Sequence, residues 1–545
     1  MAPFNPDYII IGGGISGCVV ASRLHEKNPS LRILLIEAGP DASNHPKVPG
    51  AMTASLLLHS ELDWDYKTTP QRHLNNRECY AAAGKALGGG SVINACGWIR
   101  GEASDYDSWA EAVGDPKWNY QGFLPYFRKV EHYHVSSEEH GSEGPNYTQS
   151  VTSSGRRYPL RDQVKNAWSS VGVRHIADAN SGSPQGIGEL VENRRESIRQ
   201  VASSIYPLKG IDVLLNTLVK RVVIEDNEAG EKVATGVELA NGDIIKAKGE
   251  VILAGGAYRT PQVLLLSGVG AKKNLKGIPQ VIDLPEVGKN FHDHMSVAQW
   301  WKLKHPENNL AIGAPGFKDP KYFTGLPMDW IITQTVPRQG LKDALERDSG
   351  ENEDSNPLIA SDRAHTESFM VYVARSPENP PIPLNGTHVT TSVVGLLPTS
   401  RGSIKLASTD PKDAPLIDPN YYATEADRYV LRTGLRKMAE VLSTDAGRDI
   451  VDHEVVSEGL VPLTPNSSDE EVDAHVRMHG STVYHAAGTA SMGKVVDSDL
   501  MVLGIRKLRI VDASVIPVPI AAHYQALIYA LGERAADIIS STKSS

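Results

Sequence analysis

The chain has 545 residues, 40% of them hydrophobic and 22% charged. That is a globular balance with material for several core-forming units, on the order of 100–200 residues each. A net charge of −10 without any basic block excludes nucleic acid and an anionic membrane surface as expected partners. Three cysteines, Cys18, Cys79 and Cys96, have no metal-ligand spacing, suggest no disulfide framework and fit a reducing compartment.

The first readable element is the run Tyr8 to Ile11, short and apolar between breakers, which predicts a buried parallel strand. Gly12-x-Gly14-x-x-Gly17 follows at once, then a helical stretch from Ile15 to about Lys27, then a second strand, Leu31 to Ile36, ending at Glu37. This is a βαβ unit with an acid 20 positions after the last glycine, the pattern of a dinucleotide site. Gly12 permits the tight turn, Gly14 lets a pyrophosphate approach the backbone, and Gly17 lets helix and strand pack closely. The helix N-terminus offers unpaired N–H groups to phosphate, and Glu37 can accept hydrogen bonds from a ribose diol. The N-terminus carries no basic n-region and its apolar run is taken by the first strand, so no signal peptide is expected.

After an irregular stretch over 41–72 comes the glycine-rich loop Gly84 to Gly97, whose apolar Leu87, Val92 and Ile93 point to a buried, cofactor-contacting loop. Residues 102–134 read as broken helix with Trp109, Trp118, Phe123, Tyr126 and Phe127 as core anchors. Residues 136–157 read as loop and 161–172 as helix. Strands are predicted over Val213–Leu215, Leu218–Ile224, Val233–Leu239 and Ile244–Ala247, with a hairpin at Asn241-Gly242. Glu250 to Ala254 is a further strand, delivered to Gly255-Gly256. A helix over Pro261–Leu266 follows, and the strand can return beside the first strand and close the nucleotide site. Residues 296–480 read as a separate α+β layer. The tail holds Tyr484-His485, a strand from Leu508 to Asp512, Ala522-His523-Tyr524-Gln525, and a helix from Leu527 to Ile539. Asp512 stands at a strand end, where ligands gather in α/β sheets, or else serves as a turn cap. No run approaches the ~20 apolar residues of a membrane span. The sequons at Asn146, Asn385 and Asn466 are read as chance matches. Thr542-Lys543-Ser544-Ser545 is not a recognisable peroxisomal address, so a cytoplasmic location is expected.

Taken together, these stretches resemble the glucose–methanol–choline (GMC) oxidoreductases. The likeness rests on the first turn through Leu35-Ile36-Glu37-Ala38-Gly39 and on Gly84-Lys85-Ala86-Leu87-Gly88-Gly89-Gly90-Ser91-Val92-Ile93-Asn94 with Arg100-Gly101. It also rests on Gly256 to Gly270, Val287-Gly288-Lys289-Asn290 with Asp293-His294, and the tail from His485 to Asp537. Residues 300–470 match weakly. The resemblance implies an α/β fold with a Rossmann-like, glucose-oxidase-like FAD domain and an inserted α+β substrate domain on a mixed or antiparallel sheet. The FAD domain would span 1–155, 196–295 and 481–545, and the substrate domain 156–195 and 296–480.

By the same resemblance Gly12, Gly14, Ile15, Ser16, Gly17, Glu37 and Ala38 would hold the ADP half, with Val219 against adenine. Gly90, Asn94, Ala95 and Gly97 would face the flavin, and Asp512, Ala513, Gln525 and Ala526 the ribityl-pyrophosphate and ring. His485 would be the catalytic histidine and His523 the second, with no metal. Relatives that bind FAD covalently do so through a histidine where Ile93 stands, so noncovalent FAD is expected. Tyr524 replaces the usual proline after the second histidine, and Cys96 beside the flavin loop is read as a small apolar filler, with tuning of the site as the alternative. The implied activity is oxidation of a small-molecule alcohol to aldehyde or ketone by proton removal to His485 and hydride transfer to flavin N5. The flavin would then be reoxidised by O₂ or another acceptor. A hydroxynitrile-lyase-type reaction without net redox change is the alternative, with light-driven decarboxylation and a non-catalytic flavin-binding protein further off. The substrate itself is not readable, because it is set by site geometry and not by fold.

Overall fold

The structure is a computed structural model that describes residues 5–360 and 362–541, so the tail motif at 542–545 lies outside the described residues. Its centre is a five-stranded parallel sheet in the order Asp212–Leu214, Ile33–Ile36, Tyr8–Ile11, Glu250–Leu253, Leu508–Ile510. Ile9 pairs with Leu34 on one side and Val251 on the other. Ile9, Ile10 and Leu35 have no exposed surface, which is why these strands read as unbroken apolar runs. The chain leaves the first strand toward Ile33–Ile36 and returns on the opposite side as Glu250–Leu253. The crevice at the carboxyl ends, between these two directions, is where open α/β sheets bind ligands.

The helices Ile15–Lys27 and Gln525–Ser541 pack together beside this sheet. Trp109, Trp118, Phe123 and Phe127 are fully buried as expected, with Trp109 and Trp118 stacked at 5.3 Å, while Tyr126 is only partly buried against them. The Asn241-Gly242 turn joins Lys232–Leu239 to Ile244–Lys246 in an antiparallel ladder.

Several boundaries differ from the sequence reading, and the start of one helix shows why. The helix expected from Pro261 begins at Gly256, and Pro261 lies inside it. A proline there removes the N–H that would bond the carbonyl four residues earlier. Ala257 supplies that carbonyl, and it accepts instead from the Thr489 hydroxyl at 2.6 Å. At the helix start, the Asp512 carboxylate accepts from the Gly256 N–H at 2.9 Å and the Thr260 hydroxyl at 2.6 Å. Both partners come from the far end of the chain, so local sequence carries no sign of them.

The second layer is an antiparallel sheet in the order Val451–Val455, Met295–Leu303, His388–Gly395, Thr366–Val371, Trp330–Gln334, Gly186–Glu189. Gly480–Thr482 also pairs with Met295–Leu303. Buried and half-buried residues alternate strictly along Met295–Leu303, the period-two pattern of a strand. The helix Glu425–Ser443 packs on His388–Gly395 and Thr366–Val371. Its N-terminus is capped by Thr424, whose hydroxyl accepts from the Asp427 N–H at 3.3 Å.

Candidate active site

A cavity of about 670 Å³ runs from the carboxyl ends of the parallel strands to the antiparallel sheet, within the ~300–1,000 Å³ usual for ligand pockets. At one end is the glycine turn, and its three glycines do different work. Gly12 has φ +102°, and a Cβ there would stand 2.4 Å from the Ala254 carbonyl oxygen. A Cβ on Gly17 would stand 2.0 Å from the Gly12 carbonyl oxygen, so this glycine is closed in by the turn itself and does not line the cavity. A Cβ on Gly14 would meet nothing nearer than 3.9 Å, because Gly14 faces the open space. The helix that starts at Ile15 has no side-chain cap and no acid in its first turn, so its first N–H groups are available to an anion. Ile15, Ser16, Ala38 and Val219 line the same end, with the Ser16 hydroxyl donating to the Val511 carbonyl.

Glu37 also lines this end. Its two carboxylate oxygens accept from the Gly13 and Gly39 N–H groups, each at 2.8 Å. Each oxygen keeps a second lone pair for a hydroxyl. Burial pushes its carboxyl up to about 7 against the opposing effect of those N–H groups.

Along the middle, a Cβ on Gly90 would meet nothing within 4 Å, a second opening of the backbone onto the cavity. Asn94 donates to Gln525 Oε1 at 3.0 Å, and Asn94 Oδ1 accepts from Arg199 Nη1 at 2.8 Å. Gln525 in turn donates to the Gly97 carbonyl. Asn94, Ala95, Gly97, Gln525 and Ala513 all line the wall, while Ala526 is buried behind it. Asp512 reaches the cavity too, but its oxygens are committed to Gly256, Thr260 and the Ser514 N–H at 2.8 Å, the capping role that was the alternative reading. Cys96 is more than filler: its sulfur accepts from Arg199 Nη1 at 3.4 Å.

His485 and His523 meet at the far end with ring centroids 5.0 Å apart. His523 Nε2 lies 3.0 Å from Glu367 Oε1. A Cβ on Gly97 would fall 2.6 Å from His523 Nδ1, so glycine is what leaves room for this ring. His485 Nδ1 lies 3.0 Å from His294 Nδ1, and one proton between them leaves Nε2 as the His485 nitrogen turned away from that contact. The His485 backbone N–H donates to Asp293 Oδ1 at 2.9 Å, and Asp293 also takes the hydroxyls of Thr482 and Tyr421. Tyr524, in place of a proline, is buried with its hydroxyl 3.5 Å from His294 Nε2.

His485 opens onto the cavity yet lies deep among protein atoms. Burial, and then the neighbouring His523 and His294, hold its imidazole well below the usual histidine value. Burial and His523 bring His294 down to about 3. Both are neutral at physiological pH.

Two members of this cluster, His294 and Glu367, were not among the site residues expected from the sequence. His294 stands in the Asp293-His294 motif, but its ring contact is tertiary. Glu367 is a buried acid in the strand Thr366–Val371, which reads as three polar residues followed by three apolar ones, so no alternation marks it.

A cavity with a phosphate-ready turn, two backbone openings, a buried acid and paired imidazoles has the features of a candidate dinucleotide site. Comparison with known proteins carries this further. A family profile described as GMC oxidoreductase matches residues 6–296, and its C-terminal counterpart matches 398–532. The GMC-type oxidoreductase acuG of Aspergillus aculeatus is 41% identical over 98% of both chains. An alcohol dehydrogenase [acceptor] of Pseudomonas putida is 34% identical over 98% of this chain and 95% of its own. A formate oxidase of Aspergillus oryzae, studied for modification of its FAD, superposes with TM-score 0.86 at 28% identity over 99% of both chains. The chain belongs to the GMC oxidoreductase family, and its fold is the fold of those flavoenzymes. The openings at Gly14 and Gly90 and the uncapped helix start fit FAD. Among the described residues no helix is long and apolar enough to cross a membrane.

Proposed function

We propose that the protein is an FAD-dependent alcohol oxidoreductase in which His485 takes the hydroxyl proton of a small-molecule alcohol. The observation that carries this reading is the His485 ring on the cavity wall beside His523, with its Nδ1 edge held by His294. Gly12, Gly14, Ile15, Ser16, Glu37, Ala38 and Val219 would hold the ADP half of FAD, with Gly17 supporting the turn from behind. Gly90, Asn94, Ala95, Gly97, Asp512, Ala513 and Gln525 would hold the rest, with Ala526 backing the wall. FAD supplies the acceptor for the carbinol hydride, which makes the product an aldehyde or ketone. Bound FAD would in turn need O₂ or another acceptor for its reoxidation.

The chain's own part is proton handling and orientation. A neutral imidazole is a general base at neutral pH. His294 holds the Nδ1 edge of His485 and so directs Nε2 toward the substrate hydroxyl. Glu367 holds His523, which positions the substrate oxygen.

Anaerobic addition of an alcohol should bleach the flavin of the purified protein. The base works only while unprotonated, and burial depresses its affinity for protons. The acid limb of the bleaching rate should therefore lie well below pH 6.5, with the rate level from there through neutrality. An acid limb at or above 6.5 would contradict the assignment. Release of aldehyde and cyanide from a cyanohydrin without bleaching would move the reading to a lyase.

The flavin should be held noncovalently, since buried Ile93 occupies the linking position and offers no nucleophile. Acid precipitation should leave all yellow colour in the supernatant. Colour retained in the washed pellet would refute this.

A further inference from the structure

Resting on the reading above, we propose that the substrate is an alcohol with one hydroxyl on an apolar body, seated against one face of the antiparallel sheet. Three adjacent strands build that face. Glu367 pairs with Val394 on one side, and the pairing of Ile332 with Ser368 sets Ile331 beside Phe369 on the other. Residues directly opposite in an antiparallel pair share a face, and so do residues two apart in one strand. Register therefore gathers Ile331, Glu367, Phe369, Val371 and Val394 on one surface, and all five line the cavity. Met328, at the entry to the strand Trp330–Gln334, extends it.

Four of those five side chains are hydrocarbon. The fifth, Glu367, has its Oε1 occupied by His523 Nε2 at 3.0 Å, so it serves the imidazole. On this face the polar groups are then concentrated where Glu367 meets His523, beside His485. A single hydroxyl satisfies that point and leaves the remainder of the molecule on hydrocarbon. Each additional hydroxyl would give up its water against Ile331, Phe369, Val371 or Val394 without a replacement donor or acceptor. This face thus selects for apolar bulk and against polyols. Its strands lie between the two segments matched by the family profiles, 6–296 and 398–532.

The test is anaerobic bleaching of the holoenzyme by ethanol, 1-butanol, 1-hexanol, benzyl alcohol, glucose and choline, read as second-order rate constants. From ethanol to hexanol the constant should rise about fourfold per methylene, the fold-change equivalent of about 0.8 kcal/mol. Glucose should fall at least ~100-fold below hexanol because its extra hydroxyls go unpaired at the wall, and choline because its quaternary charge gives up water against hydrocarbon. Phe369→Ala and, as a near-isosteric check that keeps the fold, Val371→Thr should each lower the hexanol-to-ethanol ratio. Glucose or choline matching hexanol, or a ratio unchanged in both variants, would overturn this inference while the bleaching itself leaves the alcohol-oxidising reading intact. A yellow enzyme bleached by none of the six would remove the alcohol reading and this inference with it.

Discussion

His485→Ala is expected to retain bound flavin and to bleach with alcohol ~10²–10⁴ times more slowly than the native protein, the range that a positioned general base contributes. The ring makes one side-chain contact that matters for its own placement, Nδ1 to His294 Nδ1 at 3.0 Å, and the backbone N–H to Asp293 is retained in the variant. The loss should therefore fall on the chemical step, with the yellow spectrum and thermal midpoint near native. His485→Asn separates size from basicity: it keeps a polar group of similar reach but cannot accept the proton at neutral pH. It should be nearly as slow as the alanine variant. Rapid-mixing measurement of bleaching under anaerobic conditions reads both. A rate within a few-fold of native in either variant would show that another group takes the proton.

The glycine turn gives the second large effect, as a contrast between two substitutions three residues apart. Gly17→Ala drives a methyl to 2.0 Å from the Gly12 carbonyl oxygen, a backbone atom of the neighbouring central strand's exit that has no room to yield. The expected result is failure to accumulate folded protein, with or without added FAD. Gly14→Ala adds a methyl that meets no protein atom within 3.9 Å and projects into the cavity. It should fold, with circular dichroism like the native apoprotein, yet take up FAD far more weakly. Absorbance at the flavin bands after reconstitution gives the readout. A Gly14→Ala variant that is fully yellow at native affinity would mean that the phosphates do not pass over this turn.

Much of the parallel half was legible from sequence because its signals are local. A buried strand, a glycine turn, a helix and a second strand fall within Tyr8 to Glu37, and the observed helix Ile15–Lys27 has the expected limits. The second strand is shorter than read, Ile33–Ile36, since Leu31 and Arg32 lie in the approach to the sheet. What was missed depends on contacts across hundreds of residues. The early start of the helix at Gly256 needs Asp512 and Thr489. His294 and Glu367 become parts of the site only when the antiparallel sheet brings them to the tail histidines. Gly17 and Ala526 illustrate the reverse case. Both belong to recognisable motifs, but their places are packing positions beside the cavity and not surfaces of it.

The Asp512–Gly256–Thr260 clasp and the Thr489 hydroxyl that stands in for the missing Pro261 N–H have a consequence for biosynthesis. The floor of the cavity is made early in translation, but the groups that pin it, the edge strand Leu508–Ile510 and Gln525, emerge from the ribosome hundreds of residues later. A nascent chain that ends before residue 525 has the glycine turn and lacks its seal. Stable FAD capture should therefore wait for residue 525, and truncation before it should yield colourless protein even though the dinucleotide motif is intact.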